Sequence, residues 1–156
     1  DVGVKFNGYF GDSAWTFVVG EVSPLAQKLP RVTEECLHRG ISKMKPGMRL
    51  GDVGNAVERH ARQNGFSVVR DMVGHGVGRS LHEEPQVPNY GTPGSGVVLR
   101  EGMTLAIEPM INMGRGDIHS LDDNWTIVAS DGKLSAHFEH TVVITKNGAR
   151  ILTQGE

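Results

Sequence analysis

A chain of 156 residues falls in the size range of one compact domain, and 38% hydrophobic with 22% charged content suits a globular protein. A net charge of −2, with no Lys/Arg block, argues against a nucleic-acid footprint, and no apolar run approaches membrane-spanning length. The single cysteine, Cys36, cannot form an internal disulfide, which points to a reducing and hence cytoplasmic setting.

In chain order, Asp1 to Val19 reads as two strands. Val2, Val4 and Phe6 alternate, Asn7-Gly8 is a strong hairpin signal, and the pattern restarts at Tyr9 and runs through Ala14 to Val19. Such a hairpin can bring Asp1 and Asp12 together. Ser23 to Met44 has helical spacing, with a Ser-Pro start and an apolar stripe of Leu25, Leu29, Val32, Cys36, Ile41 and Met44. Pro30 should kink it. Cys36 lies on the stripe and reads as packing. A second helix is expected from Leu50 to Gln63, with Leu50, Val53, Val57 and Ala61 inward and Asn64-Gly65 as its stop. His38 and His60 fall off the stripes and read as solvated.

Phe66 to Met72 returns to strand and leads to Gly74-His75-Gly76, where flanking glycines suggest a ring presented from a tight loop. His82 follows in His-Glu-Glu-Pro, and Pro85, Pro88 and Pro93 mark an irregular segment. Met103 to Met110 is apolar except for Glu108. Trp125 to Ala129, Ser135 to Thr145 (carrying Glu139) and Arg150 to Leu152 complete roughly seven strands. Two early helices with a mainly antiparallel sheet make the fold class α+β.

Asp1, Asp12, Glu108 and Glu139 all adjoin apolar, strand-like runs. An ionised carboxylate there costs several kcal/mol unless paired, roughly the penalty of a buried lone charge. The available bases, Arg79, Arg100 and Lys133, lie in loops. A divalent cation would resolve the repulsion, and oxygen ligands with one imidazole suit Mn²⁺, Fe²⁺, Co²⁺ or Zn²⁺. Two such ions about 3.5–4 Å apart could share bridging carboxylates. On the residues alone, metal-assisted hydrolysis and a purely structural reading stand level.

The runs Gly74-His75-Gly76-Val77-Gly78, His82-Glu83-Glu84-Pro85-Gln86-Val87 and Asn89-Tyr90 resemble the signature of type I methionine aminopeptidases. Asp1, Asp12, His75, Glu108 in Ile-Glu-Pro-Met and Glu139 in Phe-Glu-His-Thr match that family's five metal ligands in order. The resemblance runs nearly end to end. The 64 residues from His75 to Glu139 leave no room for the insertion of the type II enzymes.

The resemblance implies the pita-bread fold: a curved, mainly antiparallel sheet with helices packed on one face. Residues 1–156 would be a single catalytic domain, the C-terminal half to two-thirds of the fold, with an N-terminal half missing and expected in cis. It implies two divalent metal ions (Co, Mn, Fe or Zn) and removal of N-terminal methionine from nascent polypeptides, at the ribosome or free, by a metal-bridged hydroxide. Asp12 and Glu139 would bridge the ions. Asp1 would complete one shell, and His75 with Glu108 the other. Glu108 and His82 would be catalytic, as proton shuttle and as donor to the scissile amide. Leu81, His82 and Trp125 would contact substrate, although for Trp125 core packing is an equal reading. His140 is a candidate partner behind the ligands, and His119 has no assigned role. Gly3, Leu81 and His137 depart from the family, which usually has threonine, an aromatic and glutamine there. The alternatives are the related Xaa-Pro aminopeptidases and prolidases, or a non-catalytic module of the same fold.

Overall fold

The computed structural model describes residues 1–155. β1 (Val2–Phe6) and β2 (Tyr9–Ala14) form the expected hairpin. Asn7 and Gly8 both take positive φ, 49° and 86°, the paired left-handed turn that matches strand twist and that Asn-Gly favours. The register sets Gly3 opposite Asp12. β2 stops at Ala14, short of the expected Val19, because its neighbour in the sheet pairs with it only as far as that residue. Phe17, Val18 and Val19 are exposed instead.

α1 (Pro24–Ser42) begins at Ser23, whose hydroxyl accepts from the Ala26 N–H at 3.3 Å, and runs through Pro30. Leu29, Val32, Cys36, Ile41 and Met44 are buried as the stripe predicts. Leu25 is not: it lies in the first turn and is half exposed. Burial pushes the Cys36 thiol up to about 12, in keeping with a packing role. α2 (Leu50–Gln63) has the expected bounds and inward residues, and it packs against α1. His60 corrects the sequence reading. It is buried, with Nε2 2.6 Å from Glu35 Oε2 of α1, so it faces the other helix and not solvent.

Ten further strands follow: β3 (Ser67–Val68), β4 (Gly74–Gly76), β5 (Glu83–Val87), β6 (Thr104–Ile107), β7 (Met110–Asn112), β8 (Ile118–Ser120), β9 (Ile127–Ala129), β10 (Ser135–His137), β11 (Glu139–Thr145) and β12 (Gly148–Ile151). The described residues thus hold twelve short strands, all paired antiparallel, where roughly seven longer ones were expected. Seven strands make one sheet in the order β1-β2-β11-β6-β4-β5, with β12 beside β11. β10-β7-β3 make a second sheet, and β8-β9 a separate hairpin.

One strand expected to be continuous, Ser135 to Thr145, is broken, at the same place in space where the strand before Glu108 ends as its proline suggests. β6 gives way at Glu108-Pro109 to β7, and β10 gives way at Phe138 to β11. Both chains cross there between the two sheets, and Phe138 is buried at the crossing with its ring 4.7 Å from Trp15. Glu108 and Glu139 therefore sit side by side at the joint. Val32, Leu37 and Val57 of the helices close over Leu105, Ile107 and Ile144 of the large sheet. Burying each such side chain stabilises the fold by about 1.5–3 kcal/mol, enough to hold the joint beneath a set of buried charges.

Candidate metal centre

The joint opens into a cleft of about 490 Å³ lined by Asp1, Asp12, His75, His82, Glu108 and Glu139, among others. Asp12 comes from β2, His75 from β4, Glu139 from β11 and Glu108 from the end of β6. These four are buried, whereas Asp1 and His82 are exposed. Each position has a local cause. Where the ladder would leave the Asp12 backbone, the Thr141 hydroxyl accepts from Asp12 N at 2.9 Å and donates to Asp12 O at 2.8 Å. The Asn89 side-chain amide donates to Glu108 O at 3.0 Å. Sequence reasoning missed both supports. Thr141 lies two residues beyond Glu139 in one strand and so shares its face, the signal that could have found it.

His75 stands in a strand, not in the tight loop expected from its glycines. The reason is crowding and not turn geometry. A Cβ at position 74 would lie 2.4 Å from Ala106 O, and one at position 76 would lie 2.3 Å from Glu84 O. Only glycine lets β4 pass between β5 and β6. His75 Nδ1 is 2.8 Å from Gly76 O, so Nδ1–H donates to the backbone and the Nε2 lone pair is left for the cleft. Nε2 lies 3.4 Å from Glu108 Oε1 and 3.7 Å from Asp12 Oδ2. His82 meets the His75 ring edge-on, with centroids 4.3 Å apart.

A divalent cation fits this donor set. One donor atom each from Asp12, His75 and Glu139 all lie within 4.8 Å of one another. Asp12 Oδ1 and Glu139 Oε1 are buried without a hydrogen-bond partner among the described residues. Leaving such atoms unsatisfied costs about 1–3 kcal/mol each, and cation ligation removes that cost. Burial, with the charges of Glu108 and Asp12 beside it, pushes the Glu139 carboxyl up to about 9. A cation beside Glu139 would offset both the burial and the neighbouring negative charge.

This gives a pH dependence with a definite sign. Glu139 keeps its proton in the metal-free fold up to about pH 9 and loses it near the ordinary 4.5 when unfolded. Between those limits the folded state binds more protons, so metal-free stability falls as pH rises, by at most about 1.4 kcal/mol per pH unit. The denaturant midpoint of EDTA-treated protein is expected to be lower at pH 8 than at pH 6; a higher midpoint at pH 8 contradicts the assignment.

The remaining sequence candidates are placed differently. Leu81 leans over β1, where a Cβ on Gly3 would lie 3.1 Å from Leu81 Cδ1, so the departures at 3 and 81 are neighbours in space. Trp125 is not core: it is 87% exposed in the β8–β9 connection, outside the cleft lining. Asp123 fixes that connection by accepting from Trp125 N at 3.0 Å and Thr126 N at 2.8 Å. His140 bonds Thr153 Oγ1 through Nδ1 at 2.9 Å, and His119 Nδ1 lies 3.3 Å from Ser130 Oγ.

Residues 1–146 match metallopeptidase family M24. The chain belongs to this family. It is 53% identical over 154 residues to methionine aminopeptidase 1 of Bacillus subtilis (strain 168), covering 99% of this chain and 62% of that protein. The crystal structure of methionine aminopeptidase from Thermotoga maritima superposes with a TM-score of 0.96 at 54% identity, covering 98% of this chain and 61% of the other. The prolidase of Pyrococcus furiosus, at 28% identity, superposes with a TM-score of 0.76, covering 99% and 40%. The M24 chain therefore has the pita-bread α+β fold that its motifs imply, and it spans about three-fifths of the methionine aminopeptidases it matches.

Proposed function

We propose that this chain forms the metal centre of a methionine aminopeptidase, removing N-terminal methionine from nascent polypeptides. The observation that carries the reading is the convergence of Asp12, His75, Glu108 and Glu139 on one cleft, with two buried carboxylate oxygens unpartnered among the described residues. Asp12 and Glu139 would bridge two divalent ions, Asp1 would complete one shell, and His75 with Glu108 the other. Bound there, such ions supply Lewis acidity that polarises a peptide carbonyl and acidifies a water molecule.

The chain's own residues then divide the work. Glu108 would take up a proton in the cleft and pass it toward the leaving amine. The exposed His82 imidazole donates an N–H to the scissile amide and to the charge that develops on its oxygen. Leu81 and Trp125 are assigned to the methionine side chain on resemblance alone. The methionine branch is favoured over the prolidases by 53% identity against 28%. Retention of every ligand type speaks against a non-catalytic module. Nascent chains at the ribosome are the proposed partners and the cytoplasm the proposed location. No helix among the described residues is long and apolar enough to cross a membrane.

Val2, Val4, Phe6 and Tyr9 expose apolar side chains on the edge hairpin beside the cleft. Soluble proteins usually cover such an edge. We assign that cover to an N-terminal segment of the kind the longer relatives can supply. The chain alone should therefore associate in solution and cleave weakly, and joining such a segment from the Bacillus subtilis relative should restore cleavage. A Met-Ala-Ser peptide and an Xaa-Pro dipeptide, assayed with Mn²⁺ or Co²⁺, test both points. Methionine release from the first only, abolished by EDTA, is expected. Preferential cleavage of Xaa-Pro bonds would overturn the assignment, and a monodisperse, fully active chain on its own would overturn the need for the segment.

A further inference from the structure

Glu108 has an imidazole facing each of its carboxylate oxygens. His75 Nε2 stands 3.4 Å from Oε1, and His137 Nε2 stands 3.5 Å from Oε2. The first contact is accounted for, since His75 Nδ1–H is committed to Gly76 O and Nε2 offers a lone pair. The second has no role in the metal centre as described. His137 Nε2 is buried and has no hydrogen-bond partner among the described residues.

The residue is held firmly for a group without a partner. Thr16 Oγ1 accepts from His137 N at 2.9 Å and donates to His137 O at 2.7 Å, and His137 is the register partner of Met110, two residues beyond Glu108. A lone pair aimed at a carboxylate oxygen would be repelled, so Nε2 carries the hydrogen. At 3.5 Å the pair is just longer than a formed N–H···O bond, and a shift of a few tenths of an ångström closes it. An Nε2–H cannot ligate a metal.

We infer that His137 is a positioning residue for Glu108, its Nε2–H holding Oε2 so that Oε1 stays turned toward His75 and the metal. This rests on Glu108 being a ligand. A glutamine side chain carries an N–H that can do the same. His137 also forms part of the wall of a neighbouring apolar cavity lined by Thr16, Met110, Ile118 and Ile127, so its ring keeps that space apart from Glu108.

The test compares His137→Leu, which fills similar space without a donor, with His137→Gln, which restores one; His137→Met replaces the leucine variant if that does not fold. Co²⁺ titration gives affinity and the visible absorption of bound cobalt, and proton NMR counts the cobalt-shifted imidazole N–H signals. One such signal, from His75, is expected throughout. His137→Leu should weaken Co²⁺ binding about 10-fold or more and alter the absorption, while His137→Gln stays within about three-fold, as for outer-shell partners of metal ligands generally. Wild-type affinity and absorption in His137→Leu, or a glutamine variant as weak as the leucine one, would overturn the inference. So would a second shifted imidazole signal that vanishes in His137→Leu, which would make His137 a ligand. Failure of the wild-type chain to bind Co²⁺ would instead sink the metal reading itself.

Discussion

With the N-terminal segment joined on, Glu139→Ala is expected to lose bound metal and peptide cleavage together. Glu139 is 2% exposed at the start of β11, one of its oxygens has no hydrogen-bond partner among the described residues, and its neighbours Asp12 and Glu108 are also acidic. As a bridge it would serve both ions, so its removal leaves neither shell complete. A Lewis-acid metal stabilises a developing charge by several kcal/mol, so cleavage should fall by on the order of 1000-fold or more. The loss of metal should not be a loss of fold. Without metal the buried carboxyl is a liability at pH 8, and Glu139→Gln should melt higher than metal-free wild type. Added Mn²⁺ should then raise the melting temperature of wild type but not of the variant. Elemental analysis beside the cleavage assay decides it: full metal content in Glu139→Ala refutes the bridging role.

His82→Ala, in the same joined protein, should separate what Glu139→Ala joins. The His82 ring packs edge-on against His75 but is exposed, and the proposed ligand set does not use it. Both metals should therefore remain. Its contribution arises as charge develops on the substrate, and losing one such donor costs about 100-fold or more in turnover. kcat should fall much more than KM rises. Loss of both metals in His82→Ala would show that the ring supports the ligands and not the reaction.

The candidate site was legible mainly as a set of residue types, and its geometry was not. Four carboxylates beside apolar strands and one glycine-flanked histidine stand out in the sequence, yet no spacing shows that β2, β4, β6 and β11 meet. The Gly74 and Gly76 pair was noticed for the wrong reason: glycine signals freedom of φ and absence of a Cβ alike, and only the neighbouring strands decide between them. The unbroken strand-like run from Ser135 to Thr145 hid the crossing at Phe138, because nothing in the local sequence marks where one sheet ends and the next begins. The helices were read well because their stripes are local, and α2 kept its expected bounds. The failures there, Leu25 and His60, concern which neighbour a face meets. Periodicity marks a core face but not the partner helix that supplies Glu35. Trp125 is a similar case, since aromatic character suggests burial and the Asp123 turn instead places it in solvent.

The most direct test is to crystallise the chain with Mn²⁺ and record anomalous scattering at a wavelength where manganese contributes strongly. Two peaks are predicted within the cleft, both contacted by Asp12 and Glu139, one also by Asp1 and the other by His75 Nε2 and Glu108. A well-ordered cleft at full Mn²⁺ saturation with no anomalous peak there would contradict the account.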